Sequence, residues 1–184
     1  STDPLAADSI KLSCNSVDEP ETMRGRRPDC MFCNDTELPR HDGVYPFDKE
    51  PNAYDSLYIC SDEVFSKAGA QITLDLSVGT VTAGAEDISA EPDFDKKLLV
   101  DKGDLKTTHP DDIYISDVIW EYWNGLGWAR LEVSGDINPF SCMGQDGRRR
   151  VVFICPDDIR VSVQSARSGL WIRARIREIR NRFS

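Results

Sequence analysis

The chain lacks most of the residues and motifs from which active sites and membrane spans are built. It has only two histidines, His41 and His109, and both lie beside turn-forming residues without a nucleophile motif such as Gly-x-Ser-x-Gly. Glycine-rich loops that cradle phosphate are missing, and no apolar run approaches the roughly 20 residues of a membrane helix. We therefore expect a soluble protein that is not an enzyme, uses no cofactor and does not insert into membranes.

Positive charge is scarce over most of the chain. The formal net charge of −10 argues against a nucleic-acid binder, because contacts to phosphate need clustered positive charge. From Arg148 onwards, however, ten arginines oppose Asp157, Asp158 and Glu178, which gives this part +7 and leaves −17 for residues 1–147. The arginines could form a solvated outer sheet face or a complementary contact between neighbouring subunits.

Metal-binding motifs are incomplete. Among six cysteines only Cys30-Met-Phe-Cys33 has a short spacing, which could present two thiolates to zinc, but a structural zinc site normally needs four ligands. The further candidates Cys14 and His41 lie at irregular distances, and the proline-rich surroundings do not favour a thioredoxin-like redox pair. We expect no metal, and keep Cys30 and Cys33 as a candidate zinc pair. Calcium ligation would rest on Asp93, Asp95, Asp101 and Asp104, which lack the regular spacing of a calcium loop.

Apolar positions and prolines divide the chain into two parts. Residues 1–43 have few apolar positions and four prolines, so we predict an extended Cys- and Pro-containing arm or loops there. Residues 44–184 are predicted to form one β-sandwich domain. Within it, residues 79–112 are expected to be loops around one weak strand at Lys97–Val100. The opening Ser-Thr-Asp-Pro, without methionine, would suit a processed chain or a piece of a longer one.

Hydrophobic alternation predicts the strands. Apolar residues recur at every second position in Ile72, Leu74, Leu76 and Val78, and again in Val151, Phe153 and Cys155. Leu57–Cys60 forms a further short strand, and Ser61 is placed to cap one helical turn after it. The last segment also fits a helical stripe, but strict alternation from Leu170 favours a strand through about Arg177. The predicted fold is all-β, a jelly-roll-like antiparallel β-sandwich with long loops and little helix.

Three of the four tryptophans lie in one predicted hairpin, residues 117–131. Alternation places Val118, Trp120 and Tyr122 on one face and Ile119, Glu121 and Trp123 on the other, and Asn124-Gly125 supplies the turn before Trp128. Large aromatics are usually packed in cores, although exposed ones on a sheet can stack on sugar rings. Two coplanar, exposed indoles would favour glycan binding, whereas buried indoles would favour a scaffold.

The order of several segments resembles baseplate assembly proteins of tailed phages and phage-tail-like contractile injection systems. Those proteins carry segments of the form W-E-Y-W-N-G-x-x-W, V-x-F-x-x-P and Y/W-W-I-R-A-R. Matching segments begin here at Trp120, at Val151 and at Trp171. An earlier part of the chain, made of Tyr45–Asp48 followed by Ser56–Ile59 and Glu63–Ala70, is similar to another stretch of the same family. The resemblance spans roughly residues 45–177, and it does not account for the Cys30–Cys33 motif.

The resemblance implies a structural, non-catalytic module that mediates protein–protein assembly within a baseplate. Its partners would be other baseplate or tail subunits. It would be located in the bacterial cytoplasm during assembly and then in the baseplate of the phage virion or phage-tail-like particle. The alternating pattern places Arg173, Arg175 and Arg177 on the outer side of the last strand, where they could bind a partner. The alternative function is a carbohydrate-binding β-sandwich module that recognises a cell-surface glycan. A small zinc-dependent protein, a third possibility, would need Cys30, Cys33 and two further ligands to converge.

Overall fold

The computed structural model describes residues 5–15, 23–40, 43–80, 113–141 and 147–181. In these residues the chain forms twelve strands and one short helix. The strands are β1 (Leu5–Asn15), β2 (Met23–Arg26), β3 (Cys30–Cys33), β4 (Thr36–Glu37), β5 (Ser56–Cys60), β6 (Gln71–Thr80), β7 (Ile113–Trp123), β8 (Trp128–Arg130), β9 (Ser134–Gly135), β10 (Gly147–Ile154), β11 (Val161–Gln164) and β12 (Arg167–Asn181), and the helix is α1 (Asp62–Phe65). Across the described ranges, no helical segment combines the length and the apolar character that crossing a membrane requires.

The strands pair into two antiparallel sheets that pack face to face. The five-stranded sheet has the order β2-β1-β6-β10-β9, and the seven-stranded sheet has the order β4-β3-β5-β12-β7-β8, with β11 paired to the first part of β12. One apolar cluster joins the sheets, with Leu74 and Val151 from the first and Ile59, Trp120 and Ile172 from the second. The all-β sandwich predicted from the sequence is confirmed.

Alternating burial follows the predicted pattern in the central strands. In β6 the side chains of Ile72, Leu74, Leu76 and Val78 are all buried, as period-two alternation requires for one face of a sheet. The strand interpretation of the last segment is also confirmed, since β12 continues to Asn181, beyond the predicted end at Arg177. Burying a stripe of this kind contributes roughly 1.5–3 kcal/mol for each large aliphatic side chain.

Residues 1–43 contribute strands to both sheets. β1 pairs with β6 along its whole length and buries Ala7, Ile10 and Leu12 in the core, while β3 pairs with β5. The stretch predicted to be an arm or loops therefore contains four strands of the sandwich, β1, β2, β3 and β4. The burial of β1 and β3 is completed by β6 and β5, which are distant from them in sequence, so local composition underestimated these strands.

Turns hold the ends of the predicted elements in place. In the β7–β8 hairpin the carboxamide oxygen of Asn124 accepts hydrogen bonds from the backbone N–H groups of Leu126 and Gly127, both at 2.9 Å, and Gly125 takes a positive φ of 93°. Ser61 occupies the N-cap position of α1, as predicted, but its side chain makes no capping hydrogen bond. Instead the N–H of Asp62 donates to the Asp29 carboxylate at 2.8 Å.

Candidate functional site

The outer face of the seven-stranded sheet carries a group of charged and aromatic side chains that contact one another. Because alternate residues of a strand point to opposite sides, Trp171, Arg173 and Arg175 of β12 project away from the core that Ile172 and Ala174 help to form. Glu121 of β7 lies beside them on the same face, since it is the direct register partner of Arg173. The sandwich core thus orients this face from beneath.

Glu121 is held by two arginines at once. The Nε of Arg173 donates to Oε2 at 2.7 Å, and Arg175 donates through Nε to Oε2 at 3.1 Å and through Nη2 to Oε1 at 2.9 Å. Only 6% of Glu121 is exposed. Burial alone would raise the pKa of this carboxyl, but the hydrogen bonds and charges of the two arginines outweigh burial and lower its pKa. We refer to Glu121, Arg173 and Arg175 as the ion triad.

Aromatic rings frame the ion triad. The guanidinium carbon of Arg173 lies 4.2 Å from the ring centroid of Trp128 and 5.9 Å from that of Tyr58, within the range of cation–π attraction. Arg173 also donates through Nη1 to the Tyr58 hydroxyl at 3.3 Å, and the two rings meet edge to face at 5.6 Å. Charge pairing and ring packing therefore fix each other's geometry, which makes this face stiff.

The three arginines predicted to bind a partner have different environments. The side chains of Arg173 and Arg175 are 14% and 26% exposed because they turn towards Glu121. That of Arg177 is 58% exposed and its contact with Asp117 is long, at 3.5 Å. Arg177 is thus the one of the three that offers most of its guanidinium to another molecule, whereas Arg173 and Arg175 already have an intramolecular partner.

The tryptophans are divided between packing and partial exposure. Trp120 and Trp171 are fully buried, and their indole N–H groups donate to the carbonyls of Ile137 at 2.9 Å and Ser162 at 3.1 Å. Trp123 and Trp128 are half-buried and lie 5.7 Å apart at an interplanar angle of 74°. Since the four indoles include no coplanar exposed pair, the arrangement meets the criterion for a scaffold better than the one for a flat sugar-stacking platform.

The two cysteines of the predicted zinc pair point in opposite directions. Three positions apart in β3, they lie on opposite faces of the strand, so their sulfurs do not converge. Cys30 contacts Cys60, its register partner in β5, whereas Cys33 lies near Asp48 and Asp55, and burial followed by these two charges raises its pKa to about 11. Cys60 and Cys155, predicted to be buried in strands, are buried and unpaired by disulfides.

Hydrogen bonding satisfies the buried polar side chains in the described part of the chain. Every buried side-chain nitrogen or oxygen there has a hydrogen-bond partner. A depression between Phe47 and Ile115 has a volume of about 20 Å³, far below the roughly 300–1,000 Å³ typical of ligand pockets. The ion triad and the rings around it therefore form a surface on which charged and aromatic side chains are already paired with one another.

Several sequence-based candidates lie outside the described residues. They are His41, His109, the acidic group Asp93, Asp95, Asp101 and Asp104, and the weak strand Lys97–Val100. The residue that sequence reasoning missed is Glu121, which had been assigned to the Trp123 face without a role. A lone carboxylate within an aromatic strand, together with an Arg-x-Arg strand, is the pattern that would have indicated it.

Comparison with known proteins identified no relative of this chain. Protein-family models, curated proteins and solved structures were each searched, and none matches this chain.

Proposed function

We propose that this chain is a structural, non-catalytic module of a phage-tail-like baseplate that mediates assembly with neighbouring subunits. The observation that carries the proposal is that two of the segments that resemble baseplate assembly proteins lie side by side in the fold. Trp120-Glu-Tyr-Trp123 and Trp171-Ile-Arg-Ala-Arg175, far apart in sequence, are adjacent strands joined by the ion triad. The residues responsible for the resemblance thus serve to build one stiff sheet.

A stiff sheet suits a component that transmits or resists force between subunits. Each strand of the seven-stranded sheet is tied to its neighbours by a ladder of backbone hydrogen bonds, and the ion triad adds charge-assisted bonds across β7 and β12. The partner contact would include Arg177, whose exposed guanidinium adjoins this sheet face. The excess of arginines from Arg148 onwards would steer an acidic surface of the neighbouring subunit towards it.

Localisation of the protein in purified particles tests the proposal. A tagged copy would be expressed from the genome that encodes the chain, sheathed particles would be isolated by sedimentation, and the tag would be located by immunogold electron microscopy. We expect gold at the baseplate end, whereas a tagged sheath subunit, the control, labels along the particle's length. Particles without gold, with the tagged protein left in the supernatant, would count against a baseplate role.

Recognition of a cell-surface glycan is the second candidate, kept because Trp123 and Trp128 are only half-buried. Sugar stacking there would depend on the Trp123 ring, whose removal leaves the cation–π contact of Arg173 with Trp128 in place. A glycan array probed with the purified chain and with Trp123→Ala checks this function. Saccharide binding that Trp123→Ala abolishes would favour it over assembly.

A further inference from the structure

Two thiols and two carboxylates meet where β3, β5, α1 and β12 come together. A carboxylate oxygen of Asp29, the sulfur of Cys60 and a carboxylate oxygen of Asp62 all lie within 4.8 Å of one another. The thiol of Cys30, opposite Cys60 in the β3–β5 pair, packs beside that of Cys60 but lies outside this group of three. Four potential metal ligands, two sulfurs and two oxygens, are therefore contributed by chain segments about 30 residues apart.

We propose that Asp29, Cys30, Cys60 and Asp62 form a structural zinc site. Two cysteine sulfurs with two carboxylate oxygens are a donor set that zinc accepts, and the soft thiolates disfavour magnesium and calcium. With zinc–ligand distances of about 2.0–2.3 Å, the ligand atoms of a tetrahedral site lie roughly 3.5 Å apart. Binding would draw the Cys30 thiol, which lies beside Cys60 in the β3–β5 pair, towards the two carboxylates.

The surroundings orient the carboxylates as outer-shell groups do in metal sites. One oxygen of Asp29 accepts from the N–H of Asp62, and one oxygen of Asp62 accepts from the N–H of Leu170, both at 2.8 Å. These bonds fix each carboxylate while its second oxygen can turn to a metal. The thiols are buried and the carboxylates exposed, so an ion would enter past the carboxylates and reach the sulfurs beneath.

Gly169 provides the space that the site needs. A Cβ at this position would lie 2.5 Å from the sulfur of Cys60 and 2.9 Å from Oδ1 of Asp62. Any other residue would push these two ligands apart or out of place. The absence of a side chain at residue 169 is therefore tied to the close approach of Cys60 and Asp62.

With four ligands from the protein, the zinc ion would have no open coordination position, which is typical of structural rather than catalytic zinc. The metal would fasten the short strand β3 and the start of α1 to β5, beside β12. Loading would displace the thiol protons, so binding weakens as pH falls. This site does not involve Cys33, in contrast to the zinc pair considered from the sequence.

Metal titration of the reduced full-length protein tests the site. Metal-free protein would be titrated with zinc in competition with a chromogenic chelator, and with cobalt to observe thiolate-to-cobalt charge transfer and tetrahedral d–d bands. We expect one tightly bound equivalent in the native protein and in Cys33→Ser, the matched control on the opposite face of β3. Cys30→Ser and Cys60→Ser should weaken binding at least roughly 100-fold, since even outer-shell changes cost 10–100-fold.

A surface variant covers the case in which a buried serine impairs folding. Asp29→Asn changes an exposed side chain, and circular dichroism would verify the fold of this variant before titration. The variant should also bind zinc more weakly than the native chain and show a weaker thiolate-to-cobalt charge-transfer band. The proposal fails if the reduced native protein binds no stoichiometric zinc, or if a disulfide between Cys30 and Cys60 is the stable form and reduction brings no binding. It fails equally if Cys33→Ser loses as much affinity as Cys30→Ser, or if Asp29→Asn and Cys30→Ser both bind like the native chain.

Discussion

Arg173 and Glu121 are direct partners in the β12–β7 register, and their side chains meet at 2.7 Å on the outer face of the seven-stranded sheet. Arg175 completes the carboxylate's coordination from the same strand. The pair is mostly shielded from water, so its charges are screened less than those of a surface ion pair. The stability of the fold and its sensitivity to acid should therefore depend on this pair.

Replacing Glu121 by Gln should destabilise the fold by roughly 3 kcal/mol, because removal of one partner leaves two partly buried arginine charges uncompensated. Urea unfolding followed by tryptophan fluorescence measures the change. Glu132→Gln is the matched control, since the pair of Glu132 with Arg130 is exposed and should change stability by less than about 1 kcal/mol. Equal effects of the two substitutions would show that the ion triad adds nothing beyond a surface pair.

Acid should weaken the contribution of Glu121. Its pKa is lowered in the folded state, since the arginines outweigh burial, so its stabilisation is complete above the ordinary glutamate value of 4.5 and is lost as pH falls below that value towards the lowered pKa. The difference in unfolding free energy between the native chain and Glu121→Gln should therefore shrink as the pH falls from about 5 through and below 4.5. A difference that stays constant over this range would contradict the proposed ionisation.

The buried indole of Trp120 should matter more than the half-buried one of Trp123. Trp120→Phe removes the donor to the Ile137 carbonyl and leaves a small cavity beside Phe140, for which we expect a loss of roughly 2–3 kcal/mol. Trp123→Phe, the control, should cost less than about 1 kcal/mol. Chemical denaturation of both variants measures the two losses of unfolding free energy. A larger loss for Trp123→Phe than for Trp120→Phe would contradict the prediction.

Charge reversal at Arg177 should separate assembly from folding. The side chain is largely exposed, so Arg177→Glu should change the unfolding free energy by less than about 1 kcal/mol and yet reduce incorporation of the chain into particles. Arg26→Glu is the control, because Arg26 is similarly exposed and ion-paired but belongs to the five-stranded sheet and lies outside the arginine-rich part of the chain. Quantitative immunoblotting of sedimented particles gives the readout, and equal incorporation of both variants would remove Arg177 from the contact.

Strands with regular alternation could be predicted from the sequence because period-two burial is a local property. β6 and β12 and the β7–β8 hairpin follow directly from their apolar positions and from Asn124-Gly125. β1 could not be recognised, since its burial depends on pairing with β6, about 65 residues later in the chain.

The contacts of the ion triad could not be predicted from local sequence patterns for a similar reason. Alternation placed Arg173, Arg175 and Glu121 on outward faces of separate strands, and that much agrees with the structure. Which strands are neighbours, and in which register, is set by the whole sandwich, so the sequence alone suggested a partner protein for arginines that bind Glu121. Cys30 illustrates the same point, because its contact with Cys60 crosses two strands whereas the CxxC spacing pointed to Cys33.

The most direct test of the assembly role is deletion of the coding sequence from the genome that carries it, followed by counting of complete sheathed particles by electron microscopy. We predict that tubes and sheaths no longer join to a baseplate and that complete particles are nearly absent, with recovery when the native chain is supplied from a plasmid. Complete, contractile particles at the parental abundance in the deletion strain would contradict the account.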